Sequence, residues 1–241
     1  MITLIGRSAR SRRTWITAPL AANSTPICSS FHRTTPKCSR LAPTRLISPP
    51  VMADRIDAGV FAMAAAITGG EISLVGANLE HFGVGRWKLE QMGVEFAASG
   101  AVIQVRRERA LRPINVITSP YPGFATDLQS PIMALSCLAE GPSYIRETIY
   151  DGRYTLVGEL AKMGAHVEVD GDKVVVHGPC TLRGTKVEAH DLRAGVALIL
   201  AGLGAEGETV VAPGYLIDRG HADVAGRLSA LGADLNVEES G

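Results

Sequence analysis

Asp127 stands in the stretch Phe-Ala-Thr-Asp-Leu-Gln-Ser-Pro (124–131), just after a Pro-Gly turn and just before an apolar run. A carboxylate at the mouth of a helix has two uses. It can cap the helix, as can Thr126, by accepting bonds from the free N–H groups of the first turn. It can instead face a cleft and handle a proton or a hydroxyl, provided the reacting group comes within hydrogen-bond reach. The residues around Asp127 leave both uses open. Two arginines sit at related places, Arg153 in Tyr-Asp-Gly-Arg-Tyr and Arg219 in Ile-Asp-Arg-Gly-His, each just before a helical pattern. A third related place holds His81. Guanidinium groups hold carboxylates and phosphates through paired bonds and keep their charge, so cations repeated at one rim suit an anionic ligand. Ordinary solvated arginines are the alternative.

Other chemistries find less support. The six histidines are scattered, with no pair at metal-ligand spacing, and no metal site or cofactor is expected. His166 and His177 flank the turn at Asp170-Gly171 and read as a surface pair. Cys28, Cys38, Cys137 and Cys180 make neither a disulfide framework nor a zinc pattern, which fits a reduced, intracellular setting. The glycine pairs in Ala-Ile-Thr-Gly-Gly-Glu and Leu-Gly-Ala-Glu-Gly-Glu read as helix stops rather than phosphate loops.

The elements that position these residues repeat three times from Asp54 onward. Each echo opens with an apolar helix led by aspartate and ending in glycine: DRIDAGVFAMAAAITGG, TDLQSPIMALSCLAEG and DLRAGVALILAGLGAEG. A β-like run follows (EISLVGA, PSYIRETI, ETVVAPGYLI), then a second helix closing at Met92-Gly93, Met163-Gly164 or Leu231-Gly232. Leu156, Leu160 and Met163 share one helical face, as do Val224, Leu228 and Leu231. Alternating strands come next, as in AHVEVDGDKVVVHG, where Asp170-Gly171 marks a hairpin turn. The unit is β-α-β-α-β-β, and helices as apolar as residues 191–205 must be covered on most sides. Helices inside and sheets outside follow, an inside-out α/β (α+β) barrel.

Composition bounds the rest. The chain has 241 residues, 46% hydrophobic, with 24 basic and 24 acidic side chains. Residues 1–53 hold eight of the basic residues and no acidic one, leaving 16 against 24 in the remainder. An acidic body gives nucleic acid no basic surface. The longest apolar run, residues 194–205, is too short for a bilayer, so no membrane association is expected. The Arg- and Ser-rich segment 1–53 reads either as a transit-like leader or as translation unrelated to the domain, and in both cases as lacking order.

Five stretches of the body (ATDLQSP, YDGRYTLVGELAKMGAHVEVDGDKVVVHG, DLRAGVALILAGLGAEGETVV and YLIDRGHADVAGRLSALGADL, with DRIDAG before them) resemble the enolpyruvyl transferases that act on UDP-N-acetylglucosamine, the 1-carboxyvinyltransferases of peptidoglycan synthesis. The resemblance runs from about residue 54 to 237 and implies the family's C-terminal domain, here 54–241, built of three β-α-β-α-β-β units. It implies transfer of the enolpyruvyl group of phosphoenolpyruvate to the sugar 3-hydroxyl with release of phosphate, a cytoplasmic step (organellar if 1–53 is a transit peptide) serving cell-wall biogenesis, cell shape and division. It places Asp127 at the 3-hydroxyl and Ile149 at the nucleotide sugar through its backbone. Arg153, Arg193 and Arg219 fall on arginines lining the cleft, Arg193 and Arg219 beside phosphoenolpyruvate. Asp191 falls on an active-site aspartate, with a helix cap as its plainer use.

The resemblance also implies what is missing. The family's N-terminal domain carries a Lys-Asn pair for phosphoenolpyruvate and a loop bearing the general acid, and no stretch of this chain resembles them. The strand that crosses over to complete the C-terminal domain is expected to be missing as well, leaving an open sheet edge and a tendency to self-associate. The chain alone is expected to be nearly inactive, with a separate N-terminal domain polypeptide as the implied partner. A transferase acting on shikimate 3-phosphate and a non-catalytic derivative domain are the competing readings.

Overall fold

The computed structural model describes residues 2–5, 46–47 and 54–237. Strand β1 (Ile2–Ile5) opens the chain. The first unit comprises β2 (Leu46–Ile47), α1 (Arg55–Thr68), β3 (Glu71–Val75), α2 (Val84–Met92), β4 (Glu95–Ser99) and β5 (Val102–Arg106). The second comprises β6 (Asn115–Ile117), α3 (Gln129–Ser136), β7 (Pro142–Arg146), α4 (Leu156–Lys162), β8 (Val167–Asp170) and β9 (Lys173–His177). The third has β10 (Lys186–Glu188), α5 (Leu192–Gly204), β11 (Glu208–Ala212), the short α6 (Tyr215–Asp218), α7 (Val224–Ala230) and β12 (Leu235–Val237).

Each unit forms one four-stranded sheet, in the orders β2-β3-β5-β4, β6-β7-β9-β8 and β10-β11-β1-β12. In all three, the first strand runs parallel to the second, and the other pairings are antiparallel. The helices α1, α3 and α5 pack on one another inside the three sheets, and all of α3 is buried. Small residues make that packing close: a Cβ on Gly59 of α1 would stand 2.9 Å from Leu128 Cδ1. The inside-out arrangement expected from the apolar helices is therefore the one observed.

The open edge expected in the third sheet is not found. β1 lies between β11 and β12, antiparallel to both, where the first two sheets hold their own last strand. Without it β11 and β12 would face each other across an unpaired gap, and Ile-Thr-Leu-Ile, three of whose four residues are β-branched, has a strand-forming composition. Likewise Leu46–Ile47 extends the first sheet, so two short pieces of the segment expected to lack order are strands. The rest of residues 1–53 lies outside the described residues. Two smaller expectations also shift. The β8–β9 loop is Gly171-Asp172 rather than Asp170-Gly171, because Asp170 still pairs with Lys173 and Gly171 takes the positive φ of 60°. Residues 215–218 turn into helix instead of continuing β11, since Pro213 has no N–H for the ladder.

One repeat position ties the units together. Lys88, Glu159 and Arg227 each lie four residues before the Met or Leu that closes a second helix. Lys88 Nζ donates to the Asn115 carbonyl on the next unit at 2.6 Å. Glu159 Oε2 accepts from the Glu188 N–H of the third unit at 2.9 Å. Arg227 Nη2 reaches Asp57 Oδ2 on α1 at 2.6 Å and closes the ring from third unit to first. His221, itself buried, contacts the other Asp57 oxygen at 3.3 Å. Burial works against the Asp57 charge, but bonds from His221 and Arg227 outweigh it and hold the carboxyl below the usual carboxylate range.

A carboxyl depressed in the folded state stabilises above its unfolded pKa, about 3.9, and ceases to do so as pH falls through the folded value. The stability gap between wild type and Asp57→Asn, read from urea melts, is therefore expected to be full at neutral pH and to close below about pH 4. A gap that stayed constant into that acid range would mean Asp57 acts by packing and not by charge.

Candidate active site

The N-terminal ends of α1, α3 and α5 are built differently, although all three are led by aspartate. Asp54 caps α1 by accepting from the Ile56 N–H at 3.0 Å. Asp191 caps α5, its Oδ1 accepting from the N–H groups of Arg193 (2.8 Å) and Ala194 (2.9 Å). Asp127 caps nothing: it sits in a 3-10 turn (Thr126–Leu128) that precedes α3, with no side-chain bond to that helix. Its Oδ1 instead accepts from Arg193 Nε at 2.5 Å, with Arg153 Nη1 at 3.9 Å. Its Oδ2 has no partner among the described residues, and the side chain is 39% exposed. One oxygen is thus anchored by arginine and the other is open to a hydroxyl.

Arg153 is fixed by two contacts. Its guanidinium lies 3.8 Å over the Tyr150 ring and donates to Thr126 Oγ1 at 2.7 Å, next to Asp127. Stacking and hydrogen bonding together give a planar cation one orientation.

Behind this cluster lies Glu147, whose local sequence carries no signal of a special role. It is 3% exposed. Its Oε1 accepts from Thr118 Oγ1 (2.8 Å) and from the N–H groups of Ile149 (2.8 Å) and Tyr150 (3.2 Å), and its Oε2 accepts from Thr126 Oγ1 (2.8 Å). A single carboxylate therefore joins Thr118, the residue after β6, to the turn bearing Asp127 and the loop bearing Ile149 and Arg153. The Ile149 N–H is consumed by this bond, which leaves its carbonyl as the backbone group open to a ligand.

Arg219 stands apart. It follows α6 and is exposed; its backbone N–H caps α6 on the Ile217 carbonyl, and its side chain forms no hydrogen bond or ion pair among the described residues. Its neighbour Gly220 packs so closely on α5 that an added Cβ would lie 2.6 Å from Leu192 Cδ1. Leu192 immediately precedes Arg193, so Arg219 belongs to the same end of α5. The structure brings Asp127, Arg153 and Arg193 into one cluster, ties Ile149 to it through Glu147, holds Asp191 beneath it as a cap, and leaves Arg219 free at its rim. A shallow cleft beside Asn78, Glu80 and Arg86 contains none of these residues. Cys137 offers no nucleophile, because burial pushes its thiol far above the usual range.

Two guanidinium groups meet one half-open carboxylate, with a third arginine at the rim, at the helix N-terminal end of a three-unit inside-out domain; such a cluster of fixed cations suits an anionic ligand. The chain belongs to the EPSP synthase (3-phosphoshikimate 1-carboxyvinyltransferase) family, whose model matches residues 41–228. The UDP-N-acetylglucosamine 1-carboxyvinyltransferase of Thermobifida fusca is 65% identical over 191 residues, covering 78% of this chain and 44% of that protein. The protein of the same name from Paracoccus denitrificans is 46% identical over 187 residues, covering 77% and 44%. Among solved structures, the enolpyruvyl transferase NikO from Streptomyces tendae superposes with a TM-score of 0.71 at 28% identity, over 77% of this chain and 44% of that one. The chain thus spans less than half the length of the curated relatives it matches. Among the described residues no helix is long and apolar enough to cross a membrane.

Proposed function

We propose that this domain supplies the nucleotide-sugar side of a UDP-N-acetylglucosamine 1-carboxyvinyltransferase, which moves the enolpyruvyl group of phosphoenolpyruvate to the sugar 3-hydroxyl and releases phosphate for cell-wall synthesis. The observation that carries the reading is the half-anchored Asp127: Arg193 holds Oδ1 while Oδ2 stays open. In this reading Oδ2 receives the 3-hydroxyl and accepts its proton as the oxygen attacks. Arg193 and Arg219 take the carboxylate and phosphate of phosphoenolpyruvate. Arg153 and the Ile149 carbonyl hold the nucleotide sugar, and Asp191 keeps Arg193 at the start of α5. Shikimate 3-phosphate is the rival acceptor. The 65% identity to a protein named for the nucleotide sugar favours the latter, whereas the 21% identity to EPSP synthase from Acinetobacter baumannii (TM-score 0.66) speaks only to the fold.

The described residues furnish one wall of such a site. With Asp127 and Arg219 open to water, we infer that a second wall must exclude solvent and donate the proton to the methylene carbon. Two measurements test both points together. Phosphate release from phosphoenolpyruvate is expected to stay near background for the purified chain. It is expected to rise with UDP-N-acetylglucosamine, and not with shikimate 3-phosphate, once the N-terminal portion of the Thermobifida fusca relative is added. Turnover by the chain alone refutes the one-wall reading, and a preference for shikimate 3-phosphate refutes the substrate.

A further inference from the structure

The outer face of the β8–β9 hairpin carries three side chains that the proposed reaction does not use. His166 and His177 are cross-strand partners: the His177 N–H donates to the His166 carbonyl at 2.9 Å, and the two rings stack with centroids 4.5 Å apart at 23°. Glu168 lies two residues beyond His166 and so projects from the same face. Its Oε1 is 3.2 Å from His177 Nε2 and 3.6 Å from His166 Nε2. One donor atom from each of the three falls within 4.8 Å of the others. His177 Nε2 is covered from solvent, yet it makes no hydrogen bond: the Glu168 oxygen approaches it without hydrogen-bond geometry.

We propose that His166, Glu168 and His177 form a binding site for a divalent transition-metal ion of the zinc type, one that staples β8 to β9. Bonds of about 2.0–2.2 Å to a tetrahedral ion set neighbouring ligand atoms about 3.3–3.5 Å apart. The 3.2 and 3.6 Å separations are edges of that size. An exposed imidazole–carboxylate pair gains little in water, and holding two rings and a glutamate in one arrangement costs side-chain freedom. A shared ion accounts for that arrangement and for the unbonded nitrogen. Two imidazole nitrogens with one carboxylate suit zinc, copper or nickel and fall short of the all-oxygen shell that calcium and magnesium require. Three protein ligands leave one position for water. The hairpin pairs with β7 through β9, and β8 is the sheet's edge strand, so the ion would brace an edge that only one neighbour supports.

Zinc chloride titrated calorimetrically into the full chain, stripped beforehand with a chelator, tests the proposal, with amide hydrogen exchange over residues 167–177 as a local readout. Wild type is expected to bind zinc, and His166→Ala and His177→Ala are each expected to weaken binding by at least about 10-fold, since losing a ligand costs no less than losing an outer-shell partner. Zinc should slow exchange in the hairpin of wild type and not of the variants. Both histidines point outward from the sheet, and circular dichroism reports whether the variants keep the fold. Absence of zinc binding by wild type, wild-type affinity in the doubly substituted chain, or protection that falls elsewhere each overturns the site.

Discussion

Asp127→Asn is expected to lower turnover by about 10²- to 10⁴-fold, the range a positioned general base contributes, in enzyme completed with the N-terminal portion of a relative. The substitution keeps the shape of the side chain and an oxygen for Arg193, whose bond at 2.5 Å ties α5 to the turn before α3. What it removes is the second carboxylate oxygen, the one without a partner among the described residues. An amide nitrogen there presents hydrogens to the sugar hydroxyl and cannot take its proton. The loss should therefore fall on kcat, with KM for the nucleotide sugar changing much less. Circular dichroism and urea melts should match wild type, because Asp127 caps no helix. A variant retaining more than a tenth of wild-type turnover would show that Asp127 only binds the sugar and that the proton leaves by another route.

The opposite kind of aspartate is Asp191, and the contrast explains what sequence can and cannot convey. Asp54 and Asp191 cap their helices through atoms two and three residues away, so a local pattern (aspartate, apolar run, glycine) announces them. The helix stops are equally local: Gly93, Gly164 and Gly232 take φ of 98°, 91° and 100°, a region costly to any residue with a Cβ. From such signals the three units and the buried helices are readable. Asp127 has the same local setting, yet its partner is Arg193, 66 residues on. No local pattern separates the two uses, and only the resemblance to a family placed Asp127 at a hydroxyl. The strand Ile2–Ile5 is harder still: it pairs with residues more than 200 positions later, so the gap it fills is visible only after the third sheet has been assembled.

Glu147 is the residue most thoroughly hidden by this distance, and it carries the second large expected effect. Two of its donors, Thr118 and Thr126, lie 29 and 21 residues back, and the other two are backbone N–H groups of its own loop. Glu147→Ala orphans four donors around a site that is 3% exposed, and is expected to cost about 2–4 kcal/mol, less than the sum of four separate penalties because the hydroxyls can turn toward water. Urea melts measure this directly, and a cost under about 1 kcal/mol would mean the loop holds itself. Glu147→Gln separates stability from position. Its amide oxygen can still accept from Thr118, Ile149 and Tyr150, so most of the stability should return. Its amide nitrogen, however, replaces the acceptor for the Thr126 hydroxyl, and Thr126 Oγ1 must then accept from both the new amide and Arg153 Nη1. The tether on Arg153 loosens, beside Asp127 but without touching it. Glu147 is thus a positioning residue: in the completed enzyme the Gln variant should raise KM for the nucleotide sugar by about 10-fold while leaving kcat within a few-fold, as expected when an interaction common to ground and transition states is lost. A kcat that fell with KM unchanged would place Glu147 in the chemical step instead.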